Sequence, residues 1–375
     1  MKHHRLMCVL ACSALATAGW GQSSPGSKTV VVNLPDAKLN FSRDGRFLRV
    51  LGHESTDQQQ GPIEAMTYDV GRSTVEHAKS LADQTANVLS VTSDGRLAVI
   101  SAGGEANHTP LRVFLWDTET EKQTPLPEGW YRDDRASGED PDIRISGDGS
   151  LISVYGEGTD SSPMLVAVYR WSDKALAAKQ TSGLISAGGS FGGGITPSGR
   201  EVEFDNNRVG SRLVDRTTGR PLASFGPDSF RSPDGTWAVE LPDLSFEDDS
   251  MPAKVLIKDG RTGKTKAEIK IPVPDQIAFG QMSGAFCGQT ARALIAGGDR
   301  VAMYQLPSGK RITSFAHNVW KDPKAADPTR ETVACSNDGT RVAILSGSRL
   351  TWYVLKGRRH IPAAQADAST AGHRK

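Results

Sequence analysis

The sequence predicts an all-β chain of repeated four-stranded units closed into a ring, and three observations carry that prediction. The first is a turn. A short apolar strand runs into Ser-x-Asp-Gly or a close relative and then into a second apolar strand, with copies at residues 41–50, 91–100, 145–154, 195–204, 230–239 and 335–345. Asp and Ser side chains accept bonds from amides two residues on, and Gly supplies a positive φ, so each copy is a hairpin. The second is the period. The turn glycines are Gly45, Gly95, Gly149, Gly199, Gly235 and Gly339, most of them about 50 residues apart. The long gap between the last two holds an eroded copy at residues 286–295, which keeps the strands and loses Asp-Gly. The third is a marker later in each unit, seen in Leu115-Trp116-Asp117, Leu213-Val214-Asp215 and Ile257-Lys258-Asp259, where an apolar strand ends in Asp and Thr-Gly or a variant turns the chain. Four strands in each of seven units of about 40–50 residues describe a seven-bladed β-propeller of four-stranded antiparallel blades.

On these residues the repeat resembles the WD-repeat and YVTN-like β-propeller superfamily of secreted bacterial type, and also the propeller domains of the periplasmic Tol system. The resemblance covers about 330 residues. Trp116-Asp117 is a literal Trp-Asp pair, while the Gly-His element that opens a WD repeat is missing, so the resemblance identifies no subfamily. Propellers similar in outline also support hydrolase and lactonase chemistry around their axial opening.

Each segment of the chain has a place in this scheme. Residues 1–21 read as a signal peptide: Lys2, His3, His4 and Arg5 precede an apolar core at 6–16, and Ala16-Thr17-Ala18 supplies the small residues for cleavage. That core is too short for a bilayer anchor, and the faint lipoprotein box ending at Cys12 has too few apolar residues before it. The expected product is periplasmic or secreted, without a transmembrane segment. The propeller is expected over 28–358. Thr29-Val30-Val31-Val32-Asn33-Leu34 matches the outermost strand of a blade, and the seventh unit ends one strand short, so this segment is expected to close the ring. Residues 359–375 show no periodicity and read as a disordered tail.

Composition narrows function without naming it. Of 375 residues, 37% are hydrophobic and 23% charged, which is ample for a large core. The net charge of +1 gives no reason to expect nucleic acid or an anionic membrane as partner. The mature chain keeps Cys287 and Cys335, both on the first strand of a unit in neighbouring blades. An inter-blade disulfide and a pair of small buried residues fit them equally, because their aligned positions differ by one.

The two rims differ. Asp-Gly and Thr-Gly turns share one rim. The other carries long second-to-third connections at 53–62, 102–110, 156–163 and 242–252, and long inter-blade loops at 125–141, 178–190 and 317–330, whereas units six and seven turn tightly. Variable loops on a rigid scaffold are where binding resides. Trp130, Tyr131 and Arg132, followed by Asp133 and Asp134, mix rings and charges as contact residues do, with Trp320 and Lys321 a smaller version. His53, Glu54, Glu105, His108, Glu157 and Asp160 bring histidines and carboxylates toward the axis from adjacent blades. They show no metal-ligand spacing, so no metal is assigned. Three motif matches are set aside. Ser190 lies in a G-x-S-x-G without a strand-to-helix turn. Gly263-Lys264-Thr265 lacks the first Gly of a phosphate loop. Residues 259–264 are similar to quinone-propeller repeats but lack their Trp, so no cofactor is assigned. The expectation is a monomeric, non-enzymatic scaffold that binds a protein or glycan through the long-loop rim. The alternative is a hydrolase or lactonase with its site at the axial mouth.

Overall fold

The computed structural model describes residues 26–32, 34, 37–56, 59–81, 86–104, 109–131, 142–156, 164–182, 191–206, 210–242, 253–271, 282–288, 290–297, 300–317 and 331–355. Within them lie seven four-stranded antiparallel sheets. Their innermost strands, in chain order, are Lys38–Phe41, Asn87–Val91, Ile143–Ile145, Phe191–Ile195, Ser229–Arg231, Ser283–Phe286 and Thr332–Cys335, and they number the blades 1 to 7. Blade 7 meets blade 1 through these inner strands, so the ring is complete.

Closure is by the N-terminal segment. Strand Gly26–Val31 is the outermost of blade 7 and pairs antiparallel with Arg349–Val354, placing Lys28 opposite Trp352 and Val30 opposite Leu350. The strand begins three residues earlier than the sequence pattern suggests. Val32 and Leu34 leave the ladder instead and enter the apolar seam with Trp352, Leu48 and Leu345, where both are buried.

The recurring turn locks itself. In blade 1 the Ser42 hydroxyl donates to Asp44 Oδ1 (2.6 Å), which also accepts the Arg46 amide (3.0 Å), while the Phe47 amide donates to Ser42 Oγ (2.9 Å). Ser146–Asp148, Ser232–Asp234 and Ser336–Asp338 repeat the arrangement. Gly45 has φ +70°, a conformation that favours glycine. In blade 4, where Ser198 replaces the Asp, Glu201 supplies the carboxylate to Thr196 and Ser198. Neighbouring turns also interlock, because Arg341 donates to the Gly45 carbonyl, Arg49 to that of Asp94 and Arg292 to that of Asp338. This rim is a belt of turns that hold one another.

Blade 6 departs from the pattern. Its Cys287 amide donates to the Arg292 carbonyl as that of Ser42 does to Phe47, so Cys287 occupies the turn-serine position. Its sulfur is bonded to Cys335 of blade 7, with the Cα atoms 4.7 Å apart. The one-residue offset between the two cysteines is what the ring geometry needs. Facing sheets present opposite faces, so side chains that meet across a seam come from positions of opposite parity.

Apolar side chains collect between blades rather than in a central core, and each seam holds one buried cluster. Among the described residues the seam between blades 4 and 5 has the fewest buried members, Leu213, Phe225 and Ala238. Charged side chains gather beside that seam.

Candidate functional site at the long-loop rim

Strand direction assigns the rims. First-to-second and third-to-fourth turns lie on the locked rim, and the starts of the innermost strands lie on the other. On that second rim blades 1 and 2 project. Strands Phe47–Thr56 and Gln59–Asp69 pair out to Thr56 opposite Gln59, whereas Lys38 opposite Leu51 is already the last pair with the inner strand. Blades 6 and 7 turn back at Gly297 opposite Arg300 and Ser346 opposite Arg349.

Among the described residues, this rim carries an ion-pair network on blades 3, 4 and 5. Arg144 stands between Ile143 and Ile145 on the innermost strand of blade 3, and those isoleucines fill the seam toward blade 2. Its Nε and Nη2 donate to the two oxygens of Asp142 (3.1 Å each). Nη2 also lies 2.6 Å from Asp205 Oδ2, and Nη1 lies 3.6 Å from Glu203 Oε2. Glu203 Oε2 in turn pairs with Arg231 Nη2 of blade 5 at 2.9 Å. In strand Glu201–Asn206, Val202 and Phe204 enter the blade 3–4 core. Glu203 and Asp205 therefore point away from it, paired in register with Gly194 and Gly192. The glycines make room. A Cβ on Gly194 would sit 2.7 Å from Arg144 Cδ, and one on Gly192 would sit 2.6 Å from Asp142 Oδ2. The Gly193 amide donates to Asp142 Oδ2 (2.8 Å), which fixes that carboxylate.

The electrostatics follow from burial and crowding. Burial opposes the Arg144 charge, but Asp205, Asp142 and Glu203 hold the guanidinium above its ordinary pKa. Burial and the neighbouring Glu203 push the Asp205 carboxyl up, against the pull of Arg144. Lys38, which opens the innermost strand of blade 1, is pushed down by burial and by Arg144, while Asp142 acts the other way, so it lies within the field of the network. Arg144, Asp142 and Asp205 remain about a third exposed (28%, 31% and 33%). They present fixed charges and a carboxyl that takes up a proton more readily than usual.

The residues singled out from sequence lie elsewhere. Trp130, in the single-turn helix Glu128–Trp130, stacks on Tyr169 (centroids 4.1 Å apart) and meets the edge of Trp171. The Tyr131 hydroxyl accepts the Val113 amide (3.4 Å). Both are half-buried against the blade 2–3 cluster. His53 is half-buried on blade 1, with Nδ1 3.1 Å from the Gly61 carbonyl of its own hairpin. Arg132, Trp320, Lys321, Glu105, His108 and Ser190 lie outside the described residues. Among the described residues no three His, Cys, Asp or Glu side chains are placed to share a metal ion.

Fold and rim together define a seven-bladed β-propeller with one locked and one open rim. No family model matches the sequence, and no curated protein matches it. Among solved structures the fold is similar to that of a chain of Kuenenia stuttgartiensis hydrazine synthase, with a TM-score of 0.54 and 15% identity over 87% of this chain and 97% of that one. At that identity the likeness concerns the fold.

Proposed function

We propose that this chain is an exported, non-enzymatic propeller scaffold that presents its long-loop rim to a protein or glycan. The observation that carries this reading is the difference between the rims. One is consumed by turns that bond to each other, while the other projects two blades and leaves the Arg144 network a third exposed. The repeat's resemblance to secreted WD-repeat and YVTN-like propellers and the leader-like first 21 residues support export to the periplasm or medium. The mass of the exported chain tests that part, since cleavage after Ala18 or within the next few residues is expected. The hydrolase or lactonase alternative rests on His53 joining Glu105 and His108, and His53 is engaged by its own hairpin.

Replacing the second-to-third connections of blades 1 and 2 by the Gly347-Ser348 turn of blade 7 tests the rim. A tagged mature chain is expected to retain partners from an envelope extract, and the trimmed variant to lose them. Unchanged retention by the trimmed variant, with loss on Arg43→Glu at the locked rim, would overturn the reading.

A further inference from the structure

The network of blades 3–5 has spare bonding capacity of both kinds. Among the described residues, Asp205 Oδ1 and Glu203 Oε1 accept no hydrogen bond, and Arg144 Nη1 has only its 3.6 Å ionic contact to Glu203. Beneath them Arg231, its side chain 8% exposed, reaches Glu203 with Nη2 while its Nη1 is buried without a partner. A buried guanidinium nitrogen left in that state costs free energy unless something accepts from it. The charges meanwhile balance at neutral pH. Lys38, Arg144 and Arg231 face Asp142, Glu203 and Asp205, so the site offers no net attraction to an anion or a cation.

A site with adjacent unused donors and acceptors and no net charge fits a neutral ligand whose neighbouring groups each donate and accept. Vicinal hydroxyls do this: one edge of a sugar ring can give a proton to a carboxylate and take one from a guanidinium. An extended peptide also offers an N–H and a C=O along one edge, but each of these has a single function, whereas every hydroxyl both donates and accepts. We infer that the Arg144–Asp205 network is a glycan-binding subsite at the inner edge of the long-loop rim, with Asp205 and Arg144 contacting the hydroxyls. Glycines at 192 and 194 keep the floor open, since a side chain on either would occupy the space of Asp142 or Arg144. This inference rests on the long-loop rim being the binding face and narrows its partner to a glycan.

The test uses the full mature chain on an array of bacterial and eukaryotic glycans, then calorimetry with the strongest binder as the probe. Wild type is expected to retain glycans that carry an unsubstituted vicinal diol. Asp205→Asn and Gly192→Ala are each expected to weaken the calorimetric affinity by about tenfold or more, with circular dichroism unchanged. Arg96→Ala, on the locked rim, should bind as wild type does. Retention of no glycan by folded wild-type protein would overturn the inference. So would glycan binding that neither variant alters, or capture of a protein through these residues. A partner that binds the projecting hairpins but ignores Asp205→Asn would leave the rim reading standing and remove this one.

Discussion

Arg144 shows at the level of one side chain how this fold places charge. A lone arginine between two isoleucines on an inner strand would be costly to bury, yet it lies across two glycines and meets carboxylates from blades 3 and 4. Its dependence on the glycines is testable. Gly194→Ala would place Cβ 2.7 Å from both Arg144 Cδ and Ser153 Oγ. We expect a loss of about 1–3 kcal/mol in chemical denaturation, and an unaltered midpoint would contradict the packing described. The signal for this site was present in the sequence. Glu203 and Asp205 alternate with Val202 and Phe204 on the second strand, opposite the run Gly192-Gly193-Gly194. Spacing alone does not show which residues meet across blades, because that pairing is set by ring geometry.

The turn carboxylates make a second prediction at this scale. Partial desolvation opposes the charge of the exposed Asp338, but the Ser336 hydroxyl, the Thr340 amide and hydroxyl, and Arg341 outweigh that and lower its pKa. A depressed folded-state pKa contributes stability that is present above the unfolded value and lost as pH falls through the folded one. Because solvent screens this exposed carboxylate, Asp338→Asn should cost no more than about 1 kcal/mol at neutral pH. The gap to wild type should shrink as pH drops below about 4. A gap independent of pH would show that the carboxylate charge is not what the turn uses.

Among the elements, blade 6 is the informative exception. Its inner hairpin lacks the Ser-x-Asp-Gly lock and carries instead a bond from Cys287 to the next blade. Cys287→Ser restores the residue type of the other turns while removing the crosslink, so it separates the two contributions. Closing a loop over a sequence separation of 48 is worth about 2–4 kcal/mol through the unfolded chain. We expect the variant to lose roughly that much and to become insensitive to dithiothreitol, which should destabilise wild type to a similar degree. Equal stability of oxidised wild type and variant would contradict the assignment. Most elements were legible from the turn and its period, including the blade that lacks the Asp-Gly. The one-residue offset of the two cysteines fits a disulfide and a buried pair equally in sequence, and only the facing of blades 6 and 7 decides for the bond. Trp130 and Tyr131 illustrate the opposite limit. Their composition suits a contact surface, and only the position of blade 3 reveals Tyr169 stacked on the indole.

For the whole molecule, the ring divides labour between its two ends. Apolar seams hold neighbouring blades together, the strand Gly26–Val31 seals the last one, and interlocked turns stiffen one end. What remains free to vary is the other end, where blades 1 and 2 project and the charged network opens. A photo-reactive amino acid placed at Glu54 on the projecting hairpin, or at Arg43 on the locked turns, reads this division directly in the living cell. The account predicts a specific crosslinked adduct from position 54 and none from position 43; an adduct from position 43 alone, or from neither, would contradict it.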